Sequence, residues 1–204
     1  MNDSIYAPPK ADLSKVDEGS GSNGDNAFYV ISMTKLTTLF FVTLGIYQIF
    51  WWYKNWSNYK DLSRYNDSAD RNIWPIPRAI FSIFFVHALF HRVEDYAEAK
   101  SRPLNWKIDT TATIMVFLLL ASGICSRLSS KGIGSPYTDL GWMLLLVPLY
   151  FSFRKAQLNI NIACGDPQGL GNSKFTVANW IWIVVGTIFW LLVMVGLLLP
   201  EPVV

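Results

Sequence analysis

Leu36-Thr-Thr-Leu-Phe-Phe-Val-Thr-Leu-Gly-Ile-Tyr-Gln-Ile-Phe-Trp-Trp-Tyr53 carries no charge and is set between Lys35 and Lys54. As a helix it would rise about 27 Å, close to the ~30 Å hydrocarbon core of a bilayer. Its closing aromatics, Phe50 to Tyr53 with Trp56 just beyond, match the belt found where lipid meets water. The stretch predicts a first membrane-spanning helix over 36–53. An amphipathic extension should carry it past the bilayer through Tyr59, Leu62 and Tyr65.

Working outward, three further runs read as spans. Residues 110–126 open behind Asp109, a plausible N-cap, with Trp106 at the interface. Residues 138–154 contain Pro148, which predicts a kink. Residues 177–199 are the clearest span, uncharged from Trp180 to Leu199. After Arg154 and Lys155 the apolar residues Ala156, Leu158, Ile160 and Ile162 alternate with Gln157, Asn159 and Asn161. Alternation is a strand signal. A lone strand edge beside a bilayer has no partner, so a helix leaving the membrane is the preferred reading.

One run resists. Ala79 to Phe90 is about 18 Å as a helix, too short to cross. Pro75, Pro77 and Arg78 stand before it, and prolines suit a helix start rather than its interior. Residues 76–100 therefore read as an interfacial or re-entrant helix whose second half meets water. The expected fold is an all-α membrane protein with about four transmembrane helices plus this one. Residues 1–27 read as a disordered polar tail and 28–204 as a single helical membrane domain.

Bulk composition agrees. Of the 204 residues 51% are hydrophobic and 15% aromatic, while only 16% are charged. A water-soluble domain of this size would carry large exposed apolar patches. A net charge of +2, with basic residues spread among loops, argues against a nucleic-acid partner. Cys125 and Cys164 lack metal-ligand spacing and read as small apolar residues. The first 26 residues show no basic segment followed by an apolar run, so no cleavable signal is expected. With four spans, the excess of Lys and Arg in the 54–107 and 154–174 loops places those loops in the cytoplasm and both termini outside.

The run Thr43-Leu-Gly-Ile-Tyr-Gln-Ile-Phe-Trp-Trp-Tyr-Lys54 resembles a motif that closes the first helix in an uncharacterised family of small bacterial multi-pass inner-membrane proteins. Pro77 to Phe85 and Asn161 to Asp166 are similar to segments of such proteins, and the likeness extends loosely over 28–198. It implies a bacterial inner (plasma) membrane location. It implies no activity.

Few residues point to chemistry. His87, His91 and Glu94 share one helix face, a spacing that could hold a metal ion or relay protons, yet it leaves an open, incomplete site. Interfacial packing explains them as simply. Gln48 inside the first run needs a hydrogen-bond partner on another helix. Arg154 and Lys155 suit snorkelling to the interface. Grouped with Arg78, Asn161 and Asp166, they could instead hold an anionic lipid head group. No span carries a charge near its middle, which counts against ion-coupled transport. No phosphate loop, nucleophile elbow or zinc-protease motif occurs, and no cofactor is implied. The leading expectation is a non-enzymatic module that interacts with membrane proteins or lipids. The alternatives are a small transporter or channel, and a membrane-embedded metal-dependent enzyme.

Overall fold

The 36–53 stretch does not form one helix. In the computed structural model, which describes residues 26–65 and 72–198, it is cut in two. Helix α1 (Met33–Val42) starts on Ser32, whose hydroxyl accepts the Lys35 N–H at 3.4 Å. It stops after ten residues, about 15 Å. Its end is a left-handed cap: the Gly45 N–H returns to the Phe40 carbonyl at 2.8 Å and the Leu44 N–H to Phe41 at 3.1 Å. Both residues have positive φ, 52° at Leu44 and 80° at Gly45. Glycine takes that conformation freely, which is why the turn falls here. Thr43 closes it on both sides. Its hydroxyl donates to the Leu39 carbonyl at 2.7 Å and accepts the Tyr47 N–H at 3.0 Å, so it ends one helix and starts the next.

Helix α2 (Tyr47–Tyr65) then runs back. Helix α6 (Tyr137–Cys164) supplies the scale. Ile31 lies at Asn161, Phe40 at Phe153 and Gly45 at Leu146, while Trp51 is back beside Phe153 and Gln157. The first apolar run is a helical hairpin with its tip at Gly45. Hydropathy cannot see this, because one glycine in an apolar run leaves the average unchanged. The extension past Tyr53 is present as the rest of α2.

The 76–100 segment is also divided. Helix α3 (Pro75–Ile80) begins on its prolines and ends where the Phe81 N–H meets the Pro77 carbonyl at 2.9 Å. A 3₁₀ turn, Ser82–Phe84, leads into α4 (Val86–Ala99). Helix α5 (Ile108–Ser129) pairs antiparallel with α6, and α7 (Val177–Leu198) rests on α1. α6 runs unbroken through Pro148 and on to Cys164, so the alternating 156–162 stretch is helix as expected. Among the described residues every element is helical. Two helices are long and apolar enough to cross a membrane, Ile108–Ser129 and Val177–Gly196. The tail expected over 1–27 lies outside the described residues up to 25, and Ala27 is already buried.

The core is aromatic. Trp51, Trp52, Phe40 and Phe153 meet in edge contacts at 4.9–5.9 Å, and Phe90 bridges Trp52 to Trp106. This tight packing is one-sided. It ends at Leu118 on α5 and Leu146 on α6, and no residue from 119 to 145 is buried. That far end consists of the α5–α6 hairpin, which turns through residues 130–136.

Candidate functional site

Two built features stand out. The first is a strap, Ala27-Phe28-Tyr29-Val30-Ile31, that bends at Ala27 and Phe28, runs on without bend or helix to Ile31 and is fully buried between α2, α4 and α6. An extended chain inside a helical core has no ladder, so its peptide groups need other partners. Side-chain amides supply them. Asn55 Oδ1 accepts the Tyr29 N–H at 3.1 Å and Gln157 Nε2 donates to the Tyr29 carbonyl at 2.8 Å. Asn161 takes both groups of Ile31, accepting the N–H at 3.3 Å and donating to the carbonyl at 2.9 Å. Asn172 Nδ2 donates to the Val30 carbonyl at 2.9 Å. Gln157 and Asn161, four apart on α6, share a face and bond each other at 2.7 Å. Trp51 Nε1 donates to Gln157 Oε1. Phe28 stacks on Tyr59 at 5.5 Å and meets the edge of Tyr96 at 5.8 Å. Cys164 lies against the Phe28 carbonyl, and burial pushes its thiol up to about 11. It stays protonated at neutral pH and packs, as its sequence context suggests.

The second feature is a groove of about 480 Å³ between the outer face of α2, the face of α3 and the first turns of α7. Ile46, Ile49, Phe50 and Tyr53 recur at helical spacing along α2. Ile80 and Trp182 face them from α3 and α7. Several of its polar groups are engaged elsewhere: the Tyr47 hydroxyl bonds Tyr29 at 3.1 Å, and Asn179 Oδ1 accepts the Thr176 N–H at 3.0 Å. The groove is therefore a slot for an apolar chain.

The structure gives the residues the sequence grouped separate partners. His87 meets Thr113 at 3.3 Å, whereas His91 meets Glu94 at 3.3 Å and Asp109 at 3.1 Å. Thr113 and Asp109 are one turn apart on α5, so the histidines stitch α4 to α5. Among the described residues no group of three or more His, Cys, Asp or Glu could hold a metal. The lipid-head-group set also separates. Asn161 is buried in the clamp, and Asp166 receives the Leu170 and Gly171 N–H groups at 3.0 and 2.8 Å, shaping the loop before α7. The Arg78 guanidinium lies 4.3 Å over Trp56 and 5.0 Å from Phe85. Arg154 and Lys155 are exposed on α6. Gln48 does not gain the helix-to-helix hydrogen bond expected of it. Its Oε1 is buried without a partner among the described residues, as is Trp52 Nε1 one turn on.

Neither feature was anticipated from sequence, although both left a signal. The strap shows as the short apolar run Phe28 to Ile31 ahead of Ser32. The groove shows as the 46, 49, 50, 53 stripe, which a spanning-helix reading spends on lipid contact. Comparison with protein-family models, with curated proteins and with solved structures returns no match.

Proposed function

We propose that this chain is a multi-pass protein of the bacterial inner membrane and a non-enzymatic, lipid-engaging module. In this reading α5, α6 and α7 cross the bilayer, and α1–α2 enters as a re-entrant hairpin and leaves on the same side. Three crossings replace the four expected from hydropathy. The strap and α2–α4 junctions then lie with the starts of α5 and α7 in the cytoplasm, and the 130–136 loop lies outside. Charge supports this. Twelve of the fourteen Lys and Arg among the described residues fall on the strap side, and only Arg127 and Lys131 on the other. Hairpin-tip chemistry supports it too, since non-helical backbone at membrane depth needs internal partners. Thr43, Leu44 and Gly45 have theirs, and Trp190 Nε1 donates to the Phe41 carbonyl at 2.9 Å.

The observation that carries the lipid reading is the groove. Its third wall is the beginning of α7, so in the bilayer it opens within the cytoplasmic leaflet. The molecule that fills an apolar slot there is a lipid acyl chain. Native mass spectrometry from mild detergent should show retained phospholipid, and Ala178→Trp, which fills the slot from its exposed side, should release it without lowering thermal stability. A wild-type protein that carries no lipid, or equal lipid on the variant, defeats the reading.

The topology has its own test. In a chain whose two cysteines are serine, Ser101→Cys should react with an impermeant maleimide only from the cytoplasmic face. Ile133→Cys should react only from the outer face. Reaction of both from one side rules out α5 as a crossing helix.

A further inference from the structure

Resting on the membrane reading above, one property follows from how deep each element reaches. Helix α7 is the ruler: Val177–Gly196 is 20 residues, about 30 Å, the thickness of the hydrocarbon core. Val42, at the end of α1, packs on Gly186, so close that a β-carbon there would lie 2.3 Å from the Val42 carbonyl oxygen. Gly186 is nine residues past Val177, about 14 Å, so the hairpin tip stops near the bilayer midplane. The second inserted element stops at a similar depth. Ile83, in the 3₁₀ turn between α3 and α4, lies with Leu119 and Leu120, about 16 Å along α5 from Ile108. The outward side chains of that element, Trp74, Ile76, Ile80, Phe81 and Phe84, are 57–78% exposed, as lipid-facing groups would be.

The cross-section of the molecule therefore changes at the midplane. The cytoplasmic leaflet holds α5, α6 and α7 together with the α1–α2 hairpin, α3, the 3₁₀ turn and the start of α4. Among the described residues, the outer leaflet holds only α5, α6 and α7. The packing boundary falls at the same level, because burial ends at Leu118 and Leu146. A body that displaces more lipid from one leaflet than the other fits best where that leaflet is stretched. We propose that the protein is a bilayer wedge: its partner is a membrane surface convex toward the cytoplasmic face, and its density rises with that curvature. The lipid-facing apolar side of α3 and the 3₁₀ turn is the part of the wedge that substitution can withdraw.

Purified full-length protein, fluorescently labelled, would be reconstituted at low density into vesicles of phosphatidylcholine with a minor share of phosphatidylglycerol. Vesicles would be sized from highly curved to nearly flat, and orientation would be scored by protection of Ser101→Cys from an impermeant maleimide. Molecules with the strap side on the outer, convex surface should be enriched several-fold on the most curved vesicles. Oppositely oriented molecules should be depleted there. Phe81→Gln/Phe84→Gln should insert normally but lose much of the enrichment. Density independent of vesicle size in both orientations would falsify the wedge. Failure of the protein to float with vesicles after alkaline extraction would instead sink the membrane reading itself, so the two failures are distinguishable. Enrichment unaffected by the double variant would overturn the role given to α3 and the 3₁₀ turn.

Discussion

Replacing Asn161 by leucine should cost the fold about 3 kcal/mol or more, seen as a fall in the thermal unfolding midpoint in detergent. Leucine has nearly the same size, so little of this is packing. The loss is the removal of both partners of Ile31 at once, its N–H at 3.3 Å and its carbonyl at 2.9 Å, in a site with no exposure. Water cannot enter to replace them, and each stranded peptide group costs on the order of 1–3 kcal/mol. Gln157 also loses the acceptor that orients it, which loosens its bonds to Tyr29 and Trp51. Asn161→Asp separates this account from general damage. A carboxylate accepts the Ile31 N–H but repels the Ile31 carbonyl, whereas a protonated carboxyl serves both. Burial raises a carboxyl's folded pKa above its unfolded value. The extra stability is therefore present at acid pH and lost as pH rises through the folded pKa. Asn161→Asp should be more stable at low pH than at neutral pH, relative to the wild type. A variant equally weak at both would mean that the clamp is not what holds the strap.

Much of the helical plan was legible because it depends on averages. α5 and α7 lie within three residues of the stretches read for them, since an uncharged apolar run of that length has few other uses. The continuation of α6 past Arg154 followed from a physical rule about unpaired strands. What escaped depends on single residues acting against their neighbourhood. Gly45 turns the chain inside a run that hydropathy scores as continuous. Two of the polar residues that mark the 156–162 stretch as unfit for lipid, Gln157 and Asn161, proved to be a backbone clamp. Finding that needs the partner strand-like segment, which lies 130 residues away in sequence. The partners of the candidate chemical residues escaped for a related reason. His87, His91 and Glu94 share a helix face, but a site needs a common focus. Here α5 offers Thr113 to one histidine and Asp109 to the other. Arg78 was one candidate for an anionic head group, and sequence spacing did not show that its guanidinium lies over the aromatic faces of Trp56 and Phe85. The charge asymmetry depends on the number of crossings it is counted over, and the proposed three crossings sharpen it.

Gly186→Ala should detach α7 from the hairpin at a cost of about 1–3 kcal/mol, the usual scale for overpacking a tight contact. In a free helix this exchange stabilises, because alanine is the better helix former by roughly 1 kcal/mol. The sign reverses here because of what the new methyl group would meet. It would stand 2.3 Å from the Val42 carbonyl oxygen and 2.8 Å from its carbonyl carbon, both backbone atoms that no side-chain rotation can move. The helices must part. As they do, Trp190 Nε1 is drawn off the Phe41 carbonyl, now 2.9 Å away, an oxygen that also accepts the Leu44 N–H at 3.1 Å. The carbonyl keeps the Leu44 N–H, but under the membrane reading the freed indole N–H has no solvent to turn to, so the cost of parting is greater than the steric overlap alone. Gly196 is the internal control. It lies ten residues on along α7, and a β-carbon there would meet nothing within 4 Å. Gly196→Ala should be neutral or slightly stabilising. Thermal unfolding of the two variants, with Trp190 emission as a local probe, checks the contrast. If both behave alike, α7 does not rest on the hairpin tip, and the depth assigned to that tip loses its ruler.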